Sequence, residues 1–192
     1  MEQTETIIKI ILVGDSNVGK SSTVSMYCKR QFEYASVPTV GVDFNIKKIK
    51  INECKCKLHI WDTAGLEKFR SITNSYYRNV DAIVLMFDLT DNTSLKNINR
   101  WIKEIRSNIG FDDYFMLLVG NKCEQKYAID YQMLNEIKNN YAIDYVEISA
   151  KQNIKVDLMF YKLCERTLLI KHPDKYNSPN LFLSETKKNC CF

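Results

Sequence analysis

The stretch GDSNVGKS, residues 14–21, decides the fold of this chain. It matches the pattern G-x-x-x-x-G-K-[ST] and lies between an apolar run and a helical run, which is the context that the pattern requires. Glycine lets the backbone curl so that successive N–H groups face one anion, and the start of the helix adds partial positive charge. A plain glycine turn before a helix is the alternative. The strand and helix on either side favour a phosphate-binding loop.

The side chains of this loop predict a metal as well as a phosphate. Lys20 is expected to reach the β- and γ-phosphates of a nucleotide, and the Ser21 hydroxyl is expected to ligate Mg²⁺. Lys20 is therefore also a candidate catalytic residue. The predicted phosphate-binding residues of the loop are Gly14, Asp15, Ser16, Asn17, Val18, Gly19, Lys20, Ser21 and Ser22.

Two later segments add groups to the same site. Asp62 ends an apolar run and is placed to hold the Mg²⁺ shell, usually through water. Gly65 follows three residues later and is expected to bring a backbone N–H to the γ-phosphate, as a phosphate-binding and catalytic position. Thr39, in SVPTVGVDF, offers a second hydroxyl to the metal, with a buried structural threonine as the alternative.

Around this site, short apolar runs alternate with amphipathic runs, which predicts an α/β fold with right-handed crossovers. The fold expected is a nucleotide-binding domain with a six-stranded, mostly parallel sheet flanked by about five helices. Strands are predicted at 7–13, 57–61, 82–88, 115–121 and 145–149, with a more polar edge strand at 44–51. Helices are predicted at 20–30, 93–109, 130–141 and 156–170.

The length of 192 residues suits one domain, residues 1–170, followed by a flexible tail, residues 171–192. The net charge of +4 is too mild to predict a nucleic-acid partner. No apolar run is long enough for a transmembrane helix, and the first residues do not resemble a signal peptide. Seven cysteines without a secretory signal predict free thiols in a reducing cytosol. Cys54 and Cys56 are either strand side chains or two ligands of an incomplete zinc site.

The base that the site prefers is indicated by two more motifs, NKCE at 121–124 and SAK at 149–151. Both follow predicted strands, and open α/β sheets bind ligands at the carboxyl ends of their strands. A carboxylate there accepts from guanine N1–H and N2–H₂ together, a pair that adenine lacks. Lysine stems cover the faces of the base, and Phe32 stacks on its edge or on the ribose. The predicted guanine-binding residues are Phe32, Asn121, Lys122, Glu124, Ser149, Ala150 and Lys151.

Taken together, these motifs resemble the Rab family of small GTPases in the Ras superfamily over about residues 7–170. Segments typical of Rabs are VGVDF (40–44), KLHIW (57–61), KFRSIT (68–73), YYRNV (76–80) and MFDLT (86–90). The stretch from KFRSIT to YYR is most similar to Rabs of the secretory and exocytic branch. The resemblance implies that GTP or GDP and Mg²⁺ bind here and that the chain hydrolyses GTP.

The resemblance also implies two switch regions, about residues 32–43 and 64–78, which the γ-phosphate holds through Thr39 and Gly65. Phe44, Trp61 and Tyr76 would form an aromatic triad that effector proteins contact, or would serve core packing, or both. The expected partners are effectors, an exchange factor, a GTPase-activating protein, a GDP-dissociation inhibitor and a Rab escort protein.

Two residues depart from the family pattern. Leu66 stands where Rabs usually have the Gln that orients the attacking water, so hydrolysis is expected to be slow and the chain biased toward its GTP form. Glu124 stands where the family has Asp, and its extra methylene predicts retained but weaker guanine binding. Leu66 is either natural divergence or an engineered change, and the second departure favours divergence.

The chain ends in NCCF, and Cys190 and Cys191 resemble a Rab double-geranylgeranylation site. Two lipid chains give stable attachment where one does not. Two incidental cysteines are the alternative. The sequence thus predicts a switch that regulates vesicle traffic on the cytoplasmic face of an endomembrane or the plasma membrane and cycles through the cytosol. The alternatives are a GTP-locked scaffold that only binds nucleotide and, less favoured, a P-loop ATPase or nucleotide kinase.

Overall fold

A six-stranded sheet forms the centre of the computed structural model, which describes residues 5–32, 39, 41–63, 76–109 and 114–173. The strands are β1 (Thr6–Val13), β2 (Val42–Ile51), β3 (Cys54–Thr63), β4 (Ala82–Asp88), β5 (Phe115–Asn121) and β6 (Asp144–Glu147). Their order in the sheet is β2-β3-β1-β4-β5-β6. Only the β2–β3 pairing is antiparallel among the described strands, and the other four pairings are parallel. The predicted fold class is confirmed.

Five helices accompany these strands in the described part of the chain. They are α1 (Lys20–Lys29), α2 (Asn92–Lys96), α3 (Ile98–Ile109), α4 (Tyr131–Tyr141) and α5 (Val156–Lys171). Asp91 and Asp130 cap α2 and α4, since each carboxylate accepts a backbone N–H of the first turn. Arg30 caps the end of α1, since it adopts a left-handed conformation and donates its N–H to Met26 O.

Apolar side chains fill both faces of the sheet. Residues of β1 alternate between two cores, so that Ile8, Ile10 and Leu12 belong to one and Ile11 and Val13 to the other. The first core also contains side chains of α1 and α5, and the second contains side chains of α2, α3 and α4. Burial on both faces explains why the central strands were predictable as continuous apolar runs.

Several element boundaries differ from the prediction by one to three residues, and one predicted helix is divided. The helix predicted at 93–109 is divided into α2 and α3 at one residue, Asn97, which keeps αR backbone angles and whose side chain donates to the Asp15 carboxylate. β3 begins at Cys54, three residues early, since its outward side chains are polar while Cys56, Leu58 and Ile60 are buried. β6 ends at Glu147, because the chain turns after it and Ser149 forms an isolated bridge with Ile154.

The cysteines that the structure describes are free thiols. The Sγ atoms of Cys54 and Cys56 lie 3.7 Å apart. Within the described ranges, no group of three or more His, Cys, Asp or Glu side chains is placed to hold a metal ion, so the zinc alternative gains no further ligand there. Nor does any helix in those ranges have the length and apolarity needed to cross a membrane.

Candidate functional site

The phosphate-binding loop connects β1 to α1 and fits closely against its neighbours. Gly14 has φ +146°, and a Cβ there would lie 2.1 Å from Met86 O. Gly19 has φ +98°, and its Cβ would lie 2.2 Å from Asn121 Nδ2. A side chain at Gly14 would therefore displace β4, and one at Gly19 would displace Asn121, the first residue of the NKCE loop (the base loop). Gly19 caps α1 without a side-chain hydrogen bond, which leaves the first N–H groups of the helix for an anion.

Lys20 is buried within this loop, with 5% of its surface exposed. Its Nζ donates to Gly14 O at 2.9 Å and to Asp15 O at 2.7 Å. Burial lowers the pKa of Lys20 to about 8, although Asp62 and Asp15 act in the opposite direction. Among the described residues, the hydrogen bonds of this buried cation go to neutral carbonyls, so an anion placed beside it would stabilise it, which is the role predicted for Lys20.

Three oxygen groups meet beside the start of α1. Ser21 Oγ lies 2.8 Å from Thr39 Oγ1, which brings together two residues that are 18 positions apart. Asp62, at the end of β3, is 3% exposed, and its Oδ1 is buried without a hydrogen-bond partner among the described residues. Burial raises the pKa of Asp62, while a Ser21 hydrogen bond and Lys20 lower it. Two hydroxyls and an unsatisfied carboxylate oxygen fit the oxygen ligands that Mg²⁺ prefers.

Asn121, at the end of β5, joins three loops. Its Nδ2 donates to Val18 O in the phosphate loop at 2.9 Å, and its Oδ1 accepts the N–H of Ala150 in SAK at 3.1 Å. It is 2% exposed, so both bonds lie in a dry environment that makes an unpaired amide costly. The phosphate, NKCE and SAK segments are thereby held at one edge of the sheet.

The rest of the base loop is built on strained backbone and an ion pair. Lys122 has φ +68°, and its Nζ lies 2.5 Å from Asp88 Oδ2. Asp88 also accepts from the N–H and hydroxyl of Thr90. The sequence did not single out Asp88, although it lies in the MFDLT segment. Its carboxylate pairs with the Lys122 ammonium and so fixes the end of that side chain.

Glu124 and the SAK segment complete the set of predicted guanine contacts. Glu124 Oε2 is buried and has no hydrogen-bond partner among the described residues, as a carboxylate reserved for a ligand would be. Ser149 Oγ accepts the N–H of Gln152 at 2.9 Å, which shapes the SAK turn around Ala150, while Lys151 is exposed. Phe32 packs partly against the core formed with α1 and α5.

Asp15 has a set of contacts that the sequence did not predict. Its carboxylate accepts from Asn97 Nδ2 at 2.6 Å, from Trp101 Nε1 at 2.8 Å and from Arg100 Nη2 at 3.2 Å. These donors belong to the junction of α2 and α3, more than 80 residues away in sequence. The side chain of Asp15 thus ties the phosphate loop to α3, which leaves its backbone N–H for the predicted phosphate contact.

The three predicted effector-contacting aromatics form a chain on the outer side of the sheet. The ring centroids of Phe44 and Trp61 lie 4.8 Å apart, and those of Trp61 and Tyr76 lie 5.7 Å apart. Phe44 is 41% exposed. The trio is therefore both packed together and open to a partner at one end.

Several predicted site residues lie outside the described residues. They are Gly65, Leu66, Cys190 and Cys191. Most of the two predicted switch regions lies there as well.

Comparison with known proteins gives a family for the chain. The Ras family model matches residues 9–169. The chain is 33% identical to GTP-binding protein ypt2 of Schizosaccharomyces pombe, with 96% of each chain covered. It is 37% identical to Ras-related protein Rab-10 of Caenorhabditis elegans, covering 88% of this chain and 85% of that protein. It is 34% identical to Ras-related protein Rab-8B of Dictyostelium discoideum, covering 96% and 93%.

Proposed function

Because the chain belongs to the Rab family of small GTPases, we propose that it is a lipid-anchored guanine-nucleotide switch with slow GTP hydrolysis, which recruits effectors during vesicle traffic. It is a GTPase of the Ras superfamily and binds GTP or GDP with Mg²⁺. The observation that most supports the proposal is the double hydrogen bond of Asn121, which holds the phosphate and base loops together.

Different residues of the site bind the phosphates, the base and the metal. Lys20 and the N–H groups of the loop bind the phosphates, while Asn121, Lys122 and Glu124 bind the base. Ser21, Thr39 and Asp62 hold Mg²⁺, which when bound neutralises charge on the β- and γ-phosphates. Thr39 also links the first switch to the metal site, since its hydroxyl already lies 2.8 Å from that of Ser21. Loss of the γ-phosphate would release this link.

Leu66 supports the proposal of slow turnover. An aliphatic side chain has no donor or acceptor with which to orient water, so the in-line attack loses the group that usually directs it. GTPase-activating proteins that depend on the missing Gln would accelerate the reaction little. An activating protein that brings its own Gln would still work.

The test is single-turnover hydrolysis of GTP by the natural chain, by Leu66→Gln and by Leu66→Ala. We expect Leu66→Gln to raise the rate at least tenfold, because it restores a water-orienting amide, and Leu66→Ala to leave it unchanged. Equal rates for the natural chain and Leu66→Gln would refute the role of Leu66.

A GTP-locked scaffold is the second candidate, and Leu66 is again the observation that favours it. The nucleotide that copurifies with the chain distinguishes the two. A mixture of GTP and GDP supports a slow switch, and GTP alone, with no turnover over hours, supports the scaffold. Absence of any guanine nucleotide, together with failure to load one in Mg²⁺, would refute both.

Partners and location follow from the same proposal. Effectors would contact Phe44, Trp61 and Tyr76, and an exchange factor and a GTPase-activating protein would act on the switches. Geranylgeranyl groups on Cys190 and Cys191 would anchor the chain to the cytoplasmic face of an endomembrane or the plasma membrane. A GDP-dissociation inhibitor and a Rab escort protein would carry the lipidated form through the cytosol.

A further inference from the structure

The positive charge of this chain is concentrated in one hairpin. Residues 46–59 contain five lysines and one glutamate, for a formal charge of +4. The whole chain also has a net charge of +4, so the remaining residues sum to zero. The net charge of the whole chain does not reveal this local excess of positive charge. A surface with such an excess is suited to an anionic partner.

Strand geometry brings four of these lysines to one face. In the β2–β3 register, Lys48 is opposite Lys57, and Lys50 is opposite Lys55. Lys47 points to the other face, where its Nζ lies 3.8 Å from the centroid of the Tyr27 ring. Like charges directly opposite each other destabilise a sheet, so the arrangement has a cost that folding alone does not explain.

Neighbouring acids offset only half of that charge. Lys48 pairs with Glu5 at 3.0 Å and Lys50 with Glu53 at 3.3 Å, in exposed ion pairs of little strength. Lys55 and Lys57 show no ion pair within the described ranges. Protection of an edge strand accounts for lysines on β2 but not on β3, which has β2 on one side and β1 on the other.

Two exposed apolar side chains lie among the lysines. Ile7, which is 49% exposed, is in register with Lys57, and Ile46, which is 50% exposed, lies two residues before Lys48 on the same face. Basic residues around exposed aliphatic ones are typical of surfaces that bind the interfacial region of a lipid bilayer.

The described chain also ends beside this face. α5 ends at Lys171, whose Nζ donates to Ile7 O at 3.2 Å and to Asp81 Oδ1 at 2.6 Å. The tail with Cys190 and Cys191 therefore begins next to the start of β1. Phe44 and Trp61 lie further along the same face of β2 and β3, in the register pair next to Asp43 and Asp62.

We propose that Lys48, Lys50, Lys55 and Lys57, with Ile7 and Ile46, form a docking face for anionic phospholipid membranes. We call this set the cationic face. The proposal rests in part on the proposed lipid anchor, because the anchor would bring the end of α5 and the start of β1 close to the bilayer.

The test uses the full chain without lipid modification, so that the cationic face is measured alone. Vesicles of phosphatidylcholine, with and without 30% phosphatidylserine, are sedimented with the protein at about 50 and 500 mM salt. We expect binding only to the anionic vesicles and loss of that binding at high salt. Lys55→Gln with Lys57→Gln is expected to weaken it by about 20- to 30-fold, about 5-fold per lysine.

The matched control is Lys103→Gln with Lys162→Gln, which removes the same charge from exposed positions on α3 and α5. Equal loss in the control would show a general charge effect and overturn the proposal. Failure of the natural chain to bind anionic vesicles would also overturn the membrane-docking proposal. The partner of the cationic face would then be expected to be an acidic protein. Nucleotide content is measured on the same samples, so that loss of nucleotide binding, which would refute the switch, is distinguished from loss of membrane binding.

Discussion

At the scale of single residues, Glu124 is the most informative side chain of the base site. Its Oε2 is buried and lacks a hydrogen-bond partner in the part of the chain that is described. The backbone on both sides is fixed, since Cys123 N donates to Ile148 O at 3.1 Å and Gln125 N donates to Lys122 O at 3.0 Å. The carboxylate reaches further than an aspartate would, while the loop that carries it has little freedom to withdraw.

Glu124→Asp is therefore expected to tighten GDP binding by about tenfold, about 1.4 kcal/mol, because the shorter side chain fits both guanine donors without moving the loop. The measurement is competition between GDP, XDP and ADP for the Mg²⁺-loaded protein. Glu53→Asp, on the exposed hairpin turn, is the control for the same chemical change. Unchanged GDP affinity in Glu124→Asp would show that the loop already compensates, and tighter binding of ADP than GDP by the natural chain would reject guanine specificity.

Much of this site could be predicted from residues in short motifs. The contacts of Asp15 could not, because they join distant parts of the sequence. Lys20, Ser21 and Asn121 were identifiable because each belongs to a short motif whose chemistry needs that residue type. Asp15 was also marked, but as a phosphate-loop residue. Its carboxylate instead bonds donors 82 to 86 positions away, and no local pattern encodes a contact of that range.

At the scale of secondary-structure elements, the contact between the phosphate loop and α3 distinguishes this site. Asn97 and Trp101 donate two short hydrogen bonds to Asp15, and Arg100 adds a longer, half-exposed one of little strength. α3 is held in the second core through Ile98, Ile102 and Ile105. The loop is thereby fixed to a rigid element on the side away from α1.

Asp15→Ala is expected to lower the free energy of unfolding by about 1–3 kcal/mol, because the buried indole N–H of Trp101 and the partly buried amide of Asn97 lose their acceptor. GDP should also dissociate faster, since the loop is freed from α3. The measurements are urea unfolding of the GDP-loaded protein and GDP release. Trp101→Phe, which removes the indole N–H but keeps an aromatic ring, completes a double-mutant cycle. Additive effects of the two substitutions would contradict a direct bond.

The helix prediction differs from the structure at Asn97, which makes this contact. Apolar residues continue at helical spacing through Leu95, Ile98 and Ile102, so periodicity alone predicts one helix over 93–109. Asn97 keeps αR backbone angles and donates its N–H to Thr93 O, so the interruption between α2 and α3 is a single residue. Strand ends were misplaced because the ends of β3 and β6 depend on pairing partners and turns rather than on local composition.

At the scale of the whole molecule, the sheet separates two cores that depend on different helices. The core with α1 and α5 contains a stacked pair, Tyr27 and Phe160, whose ring centroids lie 3.8 Å apart. Phe160 is fully buried. This stack connects the helix that follows the phosphate loop to the last helix of the domain.

Phe160→Ala is expected to cost about 3–5 kcal/mol of unfolding free energy, because it removes a buried ring and leaves a cavity. Leu158→Ala on the same helix is the control, since Leu158 is 43% exposed and its loss should cost under about 0.5 kcal/mol. Chemical denaturation of the GDP-loaded protein measures both. Similar shifts in the two variants would show that this core contributes less than its burial indicates.

The position of β1 in the sheet has a consequence for synthesis of the protein. Its Ile10 pairs with Ile60 on one side and with Ala82 on the other, so the ribosome must add 50 further residues before the first of these neighbours exists. At about 5–20 residues per second, that interval lasts roughly 2.5–10 seconds. During it an aliphatic strand has no partner at either edge, which exposes it to non-native strand pairing until β3 emerges.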